Sequence, residues 1–177
     1  MEWTNWQSYS KLDCKRFNKQ PGVWILRGKP KNGPKKYECL QVCQTKNLRN
    51  EIEKDIKYLD RMEPICVEKE YRNFLGEWRF DYDDYLNTSE KCLYGNISDN
   101  YENLQIAVIT ATENIIEDIE LYIAVTTKSV YWRHCGRQST QLTREQLEKF
   151  FADKCDAIDK DLKQDVDKIM QELKLIK

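Results

Sequence analysis

The feature that most constrains the fold of this sequence is a pair of short apolar runs joined by a turn-rich loop. Val23–Arg27 and Tyr37–Cys43 each have the length and composition of a β-strand. The loop between them, residues 28–36, contains two Gly, two Pro and four Lys, which is typical of turns and flexible connections. The sequence therefore predicts a β-hairpin over residues 23–43 with a long basic loop.

An amphipathic helix follows the hairpin directly. Asn47 belongs to the residue types favoured as helix N-caps. Apolar residues then recur at helical spacing, at Leu48, Ile52, Ile56 and Leu59. We expect a helix from Asn47 to about residue 60 with these side chains on one face.

A further strand and helix are predicted in the second half of the chain. The strand is Leu104–Ile109, and Thr112 is the expected N-cap of the helix. The inward-facing residues of that helix are Ile115, Ile116, Ile119 and Ile123. The run S-V-Y-W at 129–132 is expected to be a short extended piece.

The segment between these two halves is harder to interpret. I-C-V-E (65–68) and E-W-R-F (77–80) are strand-like, whereas residues 81–89 and 94–100 have the composition of irregular loop. Taken together, the elements predict an α/β chain of the α+β type. It would have a small central antiparallel sheet of about three strands flanked by helices, plus a long C-terminal helix.

The C-terminal segment, residues 143–177, predicts one continuous helix. Thr143 and Gln146 form a capping box. The apolar seam after it comprises Leu147, Phe151, Cys155, Ile158, Leu162, Val166, Ile169, Leu173 and Ile176. A helix of about 30 residues is about 45 Å long, which exceeds the diameter of a small domain at about 30–35 Å. We therefore expect its far end to project and to support self-association or binding of a partner helix.

The bulk composition indicates one globular domain with appended parts. The chain has 177 residues, of which 40% are hydrophobic and 33% charged. We divide it into an N-terminal arm (1–20), a central domain (21–135) with an insertion at about 61–103, and the C-terminal helix. Seven cysteines, odd in number and scattered, are typical of reduced intracellular thiols. No run resembles a signal peptide or membrane helix, so a cytoplasmic protein without membrane contact is expected.

Charge is distributed unevenly along the chain. Residues 1–60 hold 13 Lys and Arg against 7 Asp and Glu, whereas residues 61–120 hold 5 against 14. A basic first third could bind phosphates and an acidic middle would repel them. Equally, the pattern could be an ordinary solvated surface.

Two stretches together resemble the motifs of the GIY-YIG endonucleases. Gly22-Val23-Trp24 is similar to the first motif, and L-Q-V-C-Q-T-K-N-L-R (40–49) to the second, which in the family commonly reads like L-Y-V-G-Q-T-x-N-L-R. Hairpin, helix, third strand and second helix also follow the family order. Glu120-Leu121-Tyr122-Ile123-Ala124 matches the spacing of the helical Glu motif. The resemblance covers about residues 21–132.

The resemblance implies a phosphodiester endonuclease with a divalent metal held by the helical Glu. Its two motif tyrosines fall at Trp24 and Gln41, and its helical Arg falls at Glu51. None of these three can perform the role, because the reaction needs a titratable oxygen and a fixed cation. Glu120 alone retains a suitable group for Mg²⁺, with Glu113 or Glu117 as alternatives if the alignment shifts.

Substitutes for the lost groups are conceivable elsewhere in the chain. Arg49 lies two residues before Glu51, but residues two apart on a helix face different directions. An alignment shift could also bring Tyr37 or Tyr58 into a catalytic position. A zinc site at Cys39 and Cys43 is disfavoured, since residues four apart in a strand are about 13 Å apart.

We therefore expect a catalytically impaired GIY-YIG-like domain that acts by binding, with no cofactor. A protein partner is favoured, in a nucleic-acid-processing or mobile-element and host-conflict system, through Asp81–Tyr85 and the C-terminal helix. The alternatives are a DNA- or RNA-binding module and an active, diverged Mg²⁺-dependent endonuclease. The nucleic-acid candidates are Lys29, Lys31, Lys35, Lys36, Lys46 and Arg49.

Overall fold

The computed structural model describes residues 1–61, 90–132 and 144–176, and an antiparallel sheet lies at its centre. Its strands are β1 (Glu2–Trp3), β2 (Gln7–Ser8), β3 (Gly22–Pro30), β4 (Glu38–Thr45) and β5 (Tyr101–Thr110). Strand β3 is central, between β4 and β5, and the two short strands extend the sheet beyond β5. The expected α+β class with a small antiparallel sheet is therefore confirmed.

Within the described residues, five helices cover the two faces of this sheet. They are α1 (Leu48–Arg61), α2 (Glu90–Asn100), α3 (Ile116–Thr127), α4 (Arg144–Ala157) and α5 (Lys160–Glu172). The core on one face contains residues of α1, α2 and the N-terminal 3₁₀ turns. The core on the other face contains residues of α3, α4 and α5. Each face of the sheet thus has its own helical layer.

The hairpin is present, but its strands are longer and its loop is shorter than predicted. Strand β3 continues through Gly28 to Pro30, where it still pairs with Tyr101 of β5. A Cβ at Gly28 would lie 2.7 Å from Leu104 Cδ2 and 3.0 Å from Leu40 Cδ1. This glycine therefore permits close packing within the sheet and does not begin a turn.

Helix α1 begins where the cap residue predicted. Asn47 Oδ1 accepts a hydrogen bond from the Asn50 backbone N–H at 3.4 Å, the bond expected of an N-cap. Leu48 and Ile52 are fully buried and Leu59 is 4% exposed. The predicted apolar face of this helix is therefore confirmed.

The prediction of a loop at residues 94–100 is wrong, because these residues belong to helix α2. Gly95, Asn96 and Asn100 are weak helix formers, which explains the prediction. Tyr94 and Ile97 are 3% and 0% exposed in the core shared with α1. Tertiary burial thus overrides low propensity here. The strand-like runs at 65–68 and 77–80 and the acidic stretch Asp81–Tyr85 lie outside the described residues.

Helix α3 begins later than predicted. Its N-cap is Ile115, without a side-chain capping bond, and the predicted cap Thr112 lies in the preceding turn. In that turn Thr112 O accepts from the Ile115 N–H at 3.2 Å. The expected inward residues Ile116, Ile119 and Ile123 are buried, so the periodicity was correct and only the start was wrong.

The prediction of a single C-terminal helix is also wrong, since the segment forms two helices. Asp159 separates α4 from α5, and its carboxylate accepts from the backbone N–H groups of Asp161 and Leu162. Both helices contact α3. The predicted capping-box residue Thr143 lies outside the described residues.

The apolar seam of these helices packs on the body of the protein. Phe151 and Val166 are fully buried, and Leu173 is 1% exposed, in the core beneath the sheet. The far end consequently does not project as expected. The apolar surface that was expected to support self-association is instead buried against the rest of the protein.

The N-terminal arm lies on the sheet. β1 and β2 pair with β5, and Trp6 Nε1 donates to the Leu173 carbonyl at 2.7 Å. This bond joins the two ends of the described chain. Across the described ranges, no helix is both long and apolar enough to cross a membrane.

Candidate functional site

The two positions that correspond to the motif tyrosines lie on one face of the hairpin, beneath α1 and α2. Trp24 pairs with Cys43 across the hairpin and Gln41 pairs with Leu26. Trp24 is fully buried, and its ring lies 6.3 Å from that of Tyr94 between centroids. Gln41 is 6% exposed. Neither side chain faces solvent.

Both of these buried side chains carry a polar atom without a hydrogen-bond partner among the described residues. The atoms are the indole Nε1 of Trp24 and the amide Oε1 of Gln41. Burying such a group without a partner costs about 1–3 kcal/mol. Neither an indole nor an amide titrates near neutral pH, so the pair offers hydrogen bonding without a general base.

The acid expected at the position of the family arginine lies on the surface of α1. The Glu51 side chain is 31% exposed and forms an ion pair with Lys54. Arg49 binds a different residue, with its Nε 3.0 Å from Glu53 Oε1. Arg49 and Glu51 therefore face different neighbours, and neither lines a common surface with buried Trp24 and Gln41.

The alternative tyrosines do not complete such a site. Tyr58 lies against Tyr94, with ring centroids 6.1 Å apart. Tyr37 is 37% exposed and lies at the start of the hairpin's return strand, next to Arg27. The two are on separate parts of the molecule.

Glu120 is a partly buried acid that ties α3 to the edge of β4. Its Oε1 accepts from Trp132 Nε1 at 3.2 Å, and its carboxylate also accepts from the backbone of Gln44. Desolvation raises the pKa of Glu120 to about 7, although the two hydrogen bonds lower it and Glu117 raises it slightly. Val130 and Tyr131, which directly precede Trp132 in the chain, also donate their backbone N–H groups to carbonyl oxygens of β4.

Glu120 does not fit the role of a magnesium ligand. Mg²⁺ binds ionised carboxylates in an octahedral shell that retains several waters. The Glu120 carboxylate is instead desolvated and accepts hydrogen bonds from two protein donors. Within the described ranges, no group of three or more His, Cys, Asp and Glu residues could hold a metal ion.

Most of the nucleic-acid candidates already have partners on the protein. Lys35 Nζ lies 2.8 Å from Glu102, and Lys46 Nζ lies 2.9 Å from Glu113. Lys31 donates to the Ser98 carbonyl at 2.9 Å. Such surface pairs are weak and do not abolish phosphate binding, but they reduce the positive potential.

Lys29 and Lys36 complete the set of lysine candidates. Lys29 Nζ lies 4.9 Å from the centre of the Tyr37 ring, and Lys36 is exposed. Lys29 therefore lies in β3, and Lys36 lies in the loop that follows it.

Cys39 and Cys43 face opposite sides of the sheet. The hairpin register shifts between Leu26 and Arg27, so Cys39 joins one core and Cys43 packs against the other. This bulge places the two thiols on opposite faces of the sheet, where the strand spacing alone predicted the same face. They cannot share one zinc ion.

A polar cavity of about 290 Å³ lies on the face of the sheet opposite Trp24 and Gln41, and Tyr37 and Cys39 form part of its lining. Arg27, Lys128 and Lys174 line it. Sequence reasoning missed these residues because they are far apart in the chain. The one local signal was Arg27, a charged residue at the end of an apolar strand.

The chain matches no protein-family model, and neither the curated proteins nor the solved structures include one with significant similarity to it.

Proposed function

We propose that this protein is a non-catalytic, GIY-YIG-like domain that acts by binding a protein partner. The observation that carries the proposal is the burial of Trp24 and Gln41, at 0% and 6% exposure, where two catalytic tyrosines would lie. A nuclease needs groups at these positions that contact the substrate phosphate and activate water.

The arrangement of the sheet supports the kinship with this family. A hairpin is followed by a helix, and a later strand, β5, adds to the open side of β3. Helix α3, which carries Glu120, follows that strand. This is the element order that the sequence motifs imply, with helix α2 preceding β5 as part of the insertion.

Two features favour a protein partner over nucleic acid. Lys35, Lys46 and Arg49 are paired with carboxylates of the protein. Trp3 is a large apolar side chain that is 39% exposed at the sheet edge, beside a groove of about 400 Å³ that also includes Arg16. Tryptophan and arginine are enriched at protein interfaces. Regulation of a nucleic-acid-processing system, including one in conflict between a mobile element and its host, is the context that the family resemblance suggests.

Catalysis is tested by incubating the purified chain with Mg²⁺ or Mn²⁺ and single- and double-stranded DNA and RNA. We expect no cleavage above that of Glu120→Gln, which removes the first candidate metal ligand for the family role. Metal-dependent turnover that Glu120→Gln abolishes would overturn the proposal in favour of an active endonuclease.

The partner class is tested by two binding measurements on the full chain. Fluorescence anisotropy should give dissociation constants weaker than roughly 10 μM for duplex DNA and RNA at physiological salt, the range of non-specific binding. Tight, salt-sensitive binding that is lost in Lys29→Ala/Lys36→Ala would instead identify a nucleic-acid module.

Protein binding is measured by affinity purification from nuclease-treated lysate of the source cells. We expect a stoichiometric protein that Trp3→Ser releases and that the exposed control Lys57→Ser retains. Retention of the same protein by both variants would place the interface elsewhere, and recovery of no stoichiometric protein would contradict a protein partner.

A further inference from the structure

The cavity at the end of the hairpin has an unusual concentration of cationic side chains. It is formed where β3 ends, β4 begins, α3 ends and the chain leaves α5. Arg27, Lys128 and Lys174 contribute three positive charges to its lining, and Glu38 contributes one negative charge. At about 290 Å³, it is at the lower end of the range for small-molecule sites.

Arg27 is held rigidly at this cavity. Its Nε and Nη2 donate to Gln105 Oε1 at 2.9 and 2.7 Å, and Nη1 donates to the Leu173 carbonyl at 3.3 Å. The guanidinium stacks on Trp6 at 3.9 Å and on Tyr37 at 4.2 Å. A guanidinium has five N–H donors, so two remain beyond these three bonds.

The position of Arg27 also makes it a strong site for an anion. Burial lowers the pKa of Arg27 to about 10, which leaves it charged at neutral pH. Within the described part of the chain it has no carboxylate ion-pair partner. A partly desolvated, pre-oriented guanidinium binds oxyanions more strongly than a solvated one, because little entropy or water structure is lost on binding.

The two lysines occupy a backbone conformation that does not suit them. Lys128 has φ of 51° and Lys174 has φ of 54°, and both follow the last turns of helices, α3 and α5. Glycine is the residue usually found at such left-handed positions. The lysine side chains at both positions line the same cavity.

The remaining charges around the cavity do not cancel this positive field. Glu38 Oε2 accepts from the Tyr101 hydroxyl at 2.9 Å. The carbonyl ends of α3 and α5 carry partial negative charge, which the lysines at those ends offset. Lys29 adds a further ammonium near Tyr37.

We infer that this cavity binds the phosphate group of a small molecule, with Arg27, Lys128 and Lys174 as its ligands. The inference concerns the opposite face of the sheet from Trp24 and Gln41 and does not depend on the proposed function. The phosphate can come from a phosphate ester or from free inorganic phosphate, and the volume favours the ester.

The test is isothermal titration of the full chain with inorganic phosphate and with glycerol phosphate, at constant ionic strength in chloride. We expect saturable binding of both probes by the native protein. Lys128→Gly/Lys174→Gly should weaken binding at least about tenfold, or 1.4 kcal/mol. Its melting temperature should not fall, since glycine suits both backbone positions.

Lys19→Gly is the matched control. Lys19 also has a left-handed backbone, with φ of 57°, and it does not line the cavity. This variant loses one positive charge, half the charge lost in the double variant, at the same type of backbone position, and we expect it to bind phosphate as the native chain does.

Two results would overturn the inference: no saturable binding of either probe by the native chain, or equal affinity in the native chain and the double glycine variant. An equal loss in Lys19→Gly would also overturn it, because the effect would then be one of net charge. Tighter binding of glycerol phosphate identifies an ester as the ligand, and tighter binding of inorganic phosphate identifies the free ion.

Discussion

At the residue scale, Glu120 serves as a structural acid. It accepts hydrogen bonds from Trp132 and from the backbone of Gln44, and so closes the outer edge of β4. An open strand edge exposes unpaired backbone groups that invite aggregation. A carboxyl group can fill this role in its protonated form, which explains why a raised pKa is tolerated here.

The raised pKa predicts a pH-dependent effect of Glu120→Gln. The pKa is about 7 in the folded state, above its ordinary value, so the folded state binds the proton more tightly than the unfolded state. The stabilisation from protonated Glu120 is fully present below the ordinary pKa and is lost as pH rises through about 7. Glutamine mimics the protonated form at every pH.

We therefore expect Glu120→Gln to gain stability relative to the native chain between pH 5 and pH 8, by on the order of 1 kcal/mol. Urea denaturation at several pH values measures this difference. The exposed control Glu172→Gln should show no such trend. A gain that is independent of pH would show that Glu120 is ionised in the folded protein throughout this range.

Gln41 provides a second prediction at this scale. Gln41→Met keeps the shape of the side chain and removes its buried acceptor, so it should raise the free energy of unfolding by about 1 kcal/mol. Gln44→Met, at an exposed position of the same strand, is the matched control and should have little effect. Destabilisation by Gln41→Met would mean that the Gln41 amide makes a stabilising hydrogen bond in the native protein.

At the element scale, the C-terminal segment is divided by a single cap. Asp159 Oδ1 accepts from two backbone N–H groups, of Asp161 and Leu162, at 3.0 Å each. This satisfies donors at the start of α5 that would otherwise be unpaired. The break lets Phe151 and Leu173 reach the same core, which one straight helix of about 45 Å would not allow.

Removal of the cap should therefore destabilise the protein. Asp159→Ala is expected to cost about 1 kcal/mol, in the usual range for an N-cap, and chemical denaturation measures it. Asp156→Ala in the last turn of α4 is the control, and it should be neutral or slightly stabilising because an acid near a helix C-terminus is unfavourable. If Asp159→Ala and Asp156→Ala changed the free energy of unfolding equally, packing alone would hold the break between α4 and α5.

At the scale of the whole molecule, Trp6 and Arg27 join segments that are distant in sequence. Both donate to the Leu173 carbonyl, and the guanidinium of Arg27 stacks on the Trp6 ring. The N-terminal arm, the central strand and the C-terminal helix thus meet at one point. Arg27, one member of this junction, also lines the proposed phosphate cavity.

Trp6→Phe tests this junction. It keeps an aromatic ring but removes the indole donor, so we expect a loss of about 1 kcal/mol and faster hydrogen exchange in residues 1–8. Trp3→Phe, at the exposed position on β1, should change neither quantity. Unchanged exchange in Trp6→Phe would show that strand pairing alone holds the arm.

Local patterns in the sequence were sufficient to predict the hairpin, helix α1 and the positions of the buried isoleucines of α3. These features depend on residues within one or two turns of each other, where spacing and capping carry the information. The same local rules also predicted the wrong start for α3 and an unbroken C-terminal helix. In both cases a cap or turn a few residues away competed with the pattern.

Which of these residues contact one another depends on the packing of the whole fold. It buried Trp24 and Gln41 beneath α1, made a helix of residues 90–100 through burial of Tyr94 and Ile97, and brought Arg27 beside Leu173, 146 residues later. Such contacts depend on how all the layers pack together, because close packing fixes each side chain by its neighbours from other segments. No local pattern in the chain records that arrangement.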